Sequence, residues 1–337
     1  MSIAFVTALL IAAQATSGNY ALAMLHPAVG GTAAYRIAGT STATSAIPVP
    51  PPPIPQKVGA ALGRVEELGP EITAQAAAVI DAASGVVLFG KRPYAVRPLA
   101  SITKLVSALT VVRQRPQWDA LVRVESGDVP ADPVERHTVF APGDRVTVGD
   151  LLTAALVRSD NVAVRALARS IAQEQHSDMF LAEMQSTVRA LGLPSLRVAD
   201  PAGLSPENRG TAVDAARLLR AAIREEEIAE RLQMPRATIT VQREKKKTPG
   251  VFSATVRIPI QSTNVLLRDG VSHAFDVRGG KTGYLDESGY NLALAVARDG
   301  REVIVVVFGS AGNEERFRDA RVLADWTFKN FVWDSSR

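Results

Sequence analysis

Ser101-Ile102-Thr103-Lys104 is the only S-x-x-K in the chain, and its reading decides the fold. Downstream lie Ser159-Asp160-Asn161 and Lys281-Thr282-Gly283, the latter the only K-[ST]-G. The looser S-x-N pattern recurs at Ser17 and Ser262, but only the copy at Ser159 reads S-D-N and falls in a helical region between the other two motifs. Taken singly, Ser101 or Ser159 could as well cap a helix and Lys281 could be a solvated strand residue. In this order and at these spacings the three point to serine acyl transfer.

The chemistry explains why these residue types belong together. Residues three apart on a helix share a face, so Lys104 stands one turn from Ser101. A hydroxyl is a weak nucleophile until a base takes its proton, and a desolvated lysine amine can be that base. At a helix N-terminus the Ser101 N–H is free to help hold an oxyanion. Ser159 offers a second hydroxyl to relay a proton to a leaving amine. The Asn161 amide can hold both the substrate backbone and the lysine, while Asp160 is expected to be structural. Lys281 and Thr282, on a strand edge, offer an ammonium and a hydroxyl to a carboxylate. Gly283 permits close approach of backbone, and the N–H of Tyr284 is the natural second oxyanion donor.

Composition narrows the alternatives. Lys and Arg total 38, of which eight are lysines, so this chain builds its surface positive charge from arginine, yet two of the few lysines fall in the motifs. A lysine can lose its proton on burial, whereas a guanidinium cannot. The net charge of +4 gives no case for nucleic acid. Cysteine is absent, which removes disulfides, thiolate catalysis and thiolate metal sites. The histidines are His26, His137, His176 and His273; no pair has zinc-helix spacing, and none can be placed beside a serine from sequence. No metal or cofactor is expected.

Outward from the motifs, residues 1–23 carry an apolar run ending near Ala21-Leu22-Ala23, without an upstream basic residue, and read as a signal peptide. The run is too short for a typical membrane span. Residues 24–71 form a Pro/Ala-rich, disordered linker, with Pro48-Val-Pro-Pro-Pro-Pro-Ile-Pro55 as an extended spacer. The folded domain is expected over 72–337. Ala76–Asp81 and Val86–Phe89 read as a hairpin. Helices are expected over 101–112, 148–172, 180–191 and 211–223. β-Branched strands follow over 238–241, 251–260, 279–282, 290–297 and 303–308, with Asp299-Gly300 as a tight turn. A last helix covers 313–331. Strands at both ends with helices between give an α+β fold: an antiparallel sheet flanked by helices, with an inserted all-helical lobe.

With these residues in hand, the chain resembles the low-molecular-mass penicillin-binding proteins, the S11 D-alanyl-D-alanine peptidases of the β-lactamase/transpeptidase-like superfamily. The supporting stretches include Val96-Arg-Pro-Leu-Ala-Ser-Ile-Thr-Lys-Leu, Gly203-Leu-Ser-Pro-Glu-Asn, Ser262-Thr-Asn and Lys281-Thr-Gly-Tyr-Leu-Asp-Glu-Ser-Gly-Tyr. The resemblance implies a cofactor-free acyl-enzyme mechanism on peptidoglycan stem peptides, with β-lactams as covalent inhibitors. Ser101 would be the nucleophile, Lys104 the base and Ser159 the proton relay. Lys281, Thr282 and Arg316 would hold the substrate's terminal carboxylate. It implies export to the periplasm or cell wall, with no transmembrane span in the mature chain. The scissile bond is either D-Ala–D-Ala, as for a carboxypeptidase, or a D-Ala–diaminopimelate crosslink, as for an endopeptidase. The chain ends soon after the last helix, as in the endopeptidase branch. The basic run Arg243-Glu-Lys-Lys-Lys-Thr-Pro-Gly250 is expected to be a solvated hairpin tip, with wall binding as the alternative. Two further readings stay open. A class A β-lactamase needs a glutamate after the second motif, and 194–206 contains Asp200 but no glutamate. A non-catalytic cell-wall-binding protein could use the same fold.

Overall fold

Val, Ile and Ala dominate the segments near both ends of the domain, and in the computed structural model these segments join one sheet. The described residues are Pro52, 54–57, 69–172, 177–244, 252–268 and 274–333. The signal peptide and most of the linker expected from the sequence therefore lie outside the described residues. In chain order the strands are β1 (Gln56–Lys57), β2 (Ala76–Asp81), β3 (Val87–Lys91), β4 (Arg97–Pro98), β5 (Leu121–Arg123), β6 (Arg145–Thr147), β7 (Arg209–Gly210), β8 (Arg236–Glu244), β9 (Phe252–Gln261), β10 (Asp276–Leu285), β11 (Gly289–Arg298), β12 (Arg301–Ser310) and β13 (Phe331–Val332). The helices are α1 (Lys104–Arg113), α2 (Val148–Thr153), α3 (Asn161–Ile171), α4 (Ser177–Ala190), α5 (Ala212–Ala222), α6 (Glu226–Gln233) and α7 (Asn313–Asn330).

The central sheet is antiparallel, in the order β10-β11-β12-β2-β3. β2, Ala-Ala-Ala-Val-Ile-Asp, is buried on both faces. Its Val79 joins Val305 and Leu294 in a core with Phe317 and Leu323 of α7. Ala78 and Ile80, with Val306, face the larger core shared with α1 and α5. Small and β-branched side chains suit such a doubly covered strand, which must admit a helix on either side. At the β11–β12 turn, Asp299 and Gly300 both have positive φ, 51° and 73°, as a tight hairpin turn requires. The α5 helix begins where the sequence suggested, with the Thr211 hydroxyl accepting the Asp214 N–H at 3.2 Å.

The inserted lobe is helical, as expected, but it also packs against a four-stranded sheet, β5-β6-β8-β9. Gln56–Lys57, inside the stretch read as a spacer, pairs with Phe331–Val332. Arg243 does not belong to a solvated tip: it sits in β8 and pairs with the buried Asp144 at 3.0 Å. Residues 245–250 lie outside the described residues. Among the described residues no helix is long and apolar enough to cross a membrane.

Candidate active site

Ser101 lies in a 3₁₀ turn, Ala100–Thr103, that runs into α1. Ala100 before it has a φ of 50°. A side chain in that region costs about 1–3 kcal/mol and persists only where the surroundings hold it. Here they do. The Asn291 side chain donates to the carbonyls of Pro98 at 3.0 Å and Leu99 at 3.3 Å, and accepts the Gly309 N–H at 2.9 Å. The Leu99 N–H donates to the Asn208 carbonyl at 2.7 Å. Two glycines close the grip. A Cβ on Gly283 would stand 3.0 Å from the Leu99 carbonyl oxygen and 3.2 Å from the Ser101 nitrogen. A Cβ on Gly203, whose φ is 78°, would stand 2.1 Å from the Ala100 carbonyl oxygen. Gly203→Ala is therefore expected to destabilise the fold by about 2 kcal/mol or more and to slow any reaction at Ser101. Thermal melting and covalent labelling check this; wild-type values in both would show that the contact constrains nothing.

Lys104 is buried, and its Nζ meets Ser101 Oγ at 2.9 Å, Asn161 Oδ1 at 2.7 Å and the Ala202 carbonyl at 2.6 Å. Burial lowers its pKa to about 7, against the opposing pull of Asp200 and Asp160. A neutral amine has two N–H groups and one lone pair. With the N–H groups directed to Asn161 and Ala202, the lone pair faces the Ser101 hydroxyl. The other face of Asn161 is taken, since its Nδ2 donates to the Glu135 carbonyl at 2.6 Å.

The Ala202 carbonyl carries no signature in sequence, but the turn that presents it does. The Asp200 carboxylate accepts the N–H groups of Ala202, Gly203 and Ser205, each at 2.8 Å, and also the Asn208 side-chain amide. Asp200 is thus the staple of the loop that backs the lysine.

Ser159 is presented by a break in the helix. After α2 the chain widens into a π-helical turn, Ala154–Arg158, and Ser159 takes a left-handed conformation with φ 65°. Such π-turns are rare and recur at functional sites. Asp160 then caps α3 by accepting the Ala163 N–H at 3.0 Å, and its other oxygen accepts the Val139 N–H at 3.0 Å. It is structural, as expected. Lys281, on β10, donates to Ser159 Oγ at 2.7 Å and to the Thr282 carbonyl at 3.1 Å. Burial holds its pKa well below the usual lysine value, helped by the charges of Lys104 and Arg316. Thr282 Oγ1 donates to Thr263 Oγ1 at 2.6 Å, bringing in a residue that sequence reading had only as part of Ser262-Thr-Asn.

The hydrogen bonds form two groups, Ser101–Lys104–Asn161 and Ser159–Lys281, and no direct bond links them among the described residues. Arg316, in the first turn of α7, donates to the Gly283 carbonyl at 3.1 Å and to the Asn313 side chain. Burial lowers its pKa to about 10. Among the described residues no carboxylate pairs with Lys281 or Arg316. Tyr284 stands opposite Tyr290 with ring centroids 4.5 Å apart, and its hydroxyl donates to Asp286 at 2.7 Å. His137 lies near this site, but its ring meets the Arg158 carbonyl at 3.1 Å and neither serine. Among the described residues no three His, Asp or Glu side chains could share a metal ion.

Against known proteins, residues 64–312 match the model of the peptidase S11 family, D-alanyl-D-alanine carboxypeptidase. The chain is 28% identical over 276 residues to the D-alanyl-D-alanine endopeptidase of Escherichia coli, covering 81% of this chain and 83% of that one. It is 31% identical over 272 residues to the D-alanyl-D-alanine carboxypeptidase DacD of Salmonella typhimurium, covering 78% and 65%. Among solved structures it is similar to a D-alanyl-D-alanine carboxypeptidase from Mycobacterium tuberculosis, with 26% identity, a TM-score of 0.67, and 79% and 94% covered. A mutant Streptomyces K15 DD-transpeptidase has 25% identity, a TM-score of 0.68, and 77% and 99% covered. With the matched segment spanning every motif residue up to Asn161 and the whole of Lys281-Thr-Gly, the chain belongs to the S11 family of D-alanyl-D-alanine peptidases.

Proposed function

We propose that the chain is a serine DD-peptidase that cleaves the peptide bond following a D-alanine in peptidoglycan stem peptides. The observation that carries this reading is the buried Lys104 amine, 2.9 Å from the Ser101 hydroxyl and with a pKa near neutrality. Lys104 takes the Ser101 proton as Oγ attacks the D-alanine carbonyl. The backbone N–H groups of Ser101 and Tyr284 hold the resulting oxyanion. Collapse breaks the C–N bond, and the proton reaches the leaving amine through Ser159. Water then releases the acyl group and restores Ser101. Lys281, Thr282 and Arg316 bind the carboxylate of the departing residue, and the lack, among the described residues, of an acidic partner for the Lys281 amine and the Arg316 guanidinium favours an anionic substrate. The family's substrate is a wall polymer, so the enzyme works outside the cytoplasm, and 1–23 is the export signal that such a location requires.

The Asp200 carboxylate distinguishes this reading from a β-lactamase. Both its oxygens are occupied by the loop that it staples, and Glu207 pairs with Arg209 at 2.8 Å, so neither is placed to activate a deacylating water. A penicillin should therefore acylate Ser101 and stay. Intact mass after incubation with benzylpenicillin is expected to show one stable adduct, mapped to Ser101 by peptide digestion. Product analysis on a pentapeptide and on a crosslinked muropeptide dimer then separates carboxypeptidase from endopeptidase action. Intact drug with no adduct would overturn the catalytic reading; rapid drug turnover would favour the β-lactamase.

A further inference from the structure

A cavity of about 730 Å³ lies beside the catalytic lysine, between α3, α4 and the loop stapled by Asp200. Two of its walls touch Lys104. Asn161, which begins α3, accepts the Lys104 amine, and so does the carbonyl of Ala202, next to Pro201 in the loop. Arg165 stands four residues after Asn161, so it falls on the same face of α3, one turn further along. Ala168 and Ala172 continue that face and form an apolar floor. Phe180, Leu181 and Leu204 supply apolar walls.

The charged groups around the cavity divide into those already engaged and those left over. Asp128 pairs with Arg169 at 3.0 Å. Asp200 has both oxygens on its own loop. Glu135 gives its carbonyl to Asn161 at 2.6 Å, but among the described residues its carboxylate has no partner. Arg165 donates to the Gly127 carbonyl at 2.9 Å and, among the described residues, pairs with no carboxylate. One anion and one cation are thus left over at an apolar cavity. A ligand with only an ammonium would need Glu135 alone, and one with only a carboxylate would need Arg165 alone. The two together suit an amino-acid head, with ammonium and carboxylate on one carbon, at the end of an aliphatic arm.

The cavity is within reach of the acyl side of the substrate. The hydrogen bonds Ser101–Lys104, Lys104–Asn161 and Asn161–Glu135 are 2.9, 2.7 and 2.6 Å long, so the Glu135 rim lies no more than about 11 Å from Ser101 Oγ. An arm of three methylenes on the residue before the acyl D-alanine spans a similar distance, about 10 Å. Lys281, Thr282 and Arg316 serve the departing side, which leaves the Asn161 side of the cleft for the acyl chain.

We infer that this cavity is the specificity site for the residue preceding the acyl D-alanine, and that it takes the free amino-acid end of a diaminopimelate side chain. Glu135 meets the ammonium, Arg165 the carboxylate, and the apolar walls the methylenes. The inference rests on the peptidase reading above and adds to it which stem peptide the enzyme prefers. Neither side chain touches the reacting atoms; both act by holding the acyl chain in register with Ser101.

The test compares substrates that differ only at that position. The pentapeptide or the crosslinked dimer, whichever the parental enzyme cleaves, is made with diaminopimelate, lysine or norleucine before the acyl D-alanine, and kcat/KM is measured for each. The norleucine substrate is expected to have a kcat/KM about tenfold below that of the diaminopimelate substrate, the scale of two part-exposed ion pairs, with lysine between them. Amidating the free carboxyl of the diaminopimelate should bring it down to the lysine value. Arg165→Gln should do the same to the unmodified diaminopimelate substrate while keeping the preference for lysine over norleucine. Glu135→Gln should erase that lysine preference. Each result is a ratio within one enzyme, so a general loss of activity or stability in a variant cancels. Equal kcat/KM for the three substrates in the parent, or parental ratios in both variants, would overturn the specificity site while leaving the peptidase reading intact. No cleavage of any substrate together with no penicillin adduct would instead defeat the peptidase reading, and this inference with it.

Discussion

Ser101→Ala is expected to abolish the penicillin adduct and to remove essentially all hydrolysis of a D-alanyl peptide. The substitution removes one oxygen, and nothing nearby can replace it. Ser159 accepts a hydrogen bond from Lys281 and, among the described residues, has no direct bond to the buried base. The turn itself should survive, because Asn291 and Asn208 hold it through backbone groups at positions 98 and 99. Loss of the adduct should therefore come with a melting curve close to that of the parent. A loss of about 10⁴-fold or more is expected, because activity without a nucleophile rests on the oxyanion donors and binding alone. The check is intact mass after long incubation with benzylpenicillin. An adduct that moves to another serine would sink the assignment.

Lys104→Arg should be nearly as damaging, lowering the acylation rate by about 10²–10⁴-fold, the usual contribution of a positioned base. The guanidinium keeps the charge but has no lone pair to offer. It must also fit where the amine meets Ser101, Asn161 and Ala202 at once. The pH profile isolates the base from the packing. Burial lowers the lysine pKa to about 7, so the amine is protonated below that pH and neutral above it. Acylation by the parent enzyme should rise with pH, about tenfold per unit below pH 7, and level off above it. The residual rate of the arginine variant should lack this rise. A variant that keeps both rate and profile would exclude Lys104 as the base.

What could be read in the sequence follows from what leaves a periodic or chemical mark. The strand over 303–308 announces itself by the β-branched run Val303-Ile-Val-Val-Val after Asp299-Gly300, and α5 by Thr211 ahead of an apolar stripe. The three motifs converge because each pairs an unusual chemical group with a fixed spacing. β5 and β6, with three residues each, are too short for an alternation to register. α6 was missed because only Ile228 and Leu232 are buried on an otherwise polar helix. Asn291 looks like any strand residue until Pro98 and Leu99 are brought beside it. The Ala202 carbonyl has no side-chain signature at all; only Asp200 and Asn208, which shape its loop, could have hinted at it.

The place of β2 in the central sheet has a consequence for how the enzyme comes into being. Val79 pairs with Val305, and Ala76 with Phe308, across nearly the whole length of the domain. Contacts of such separation form late and slowly. A nascent chain interrupted before β12 would already carry Ser101, Lys104, Ser159 and Lys281, yet β2 would have no partner on one side and β11 none on the other. Synthesis of β12 is therefore the event that lets a polypeptide with every reactive group close its central sheet, and a cell is spared a wall-cutting activity in copies that stop short of it.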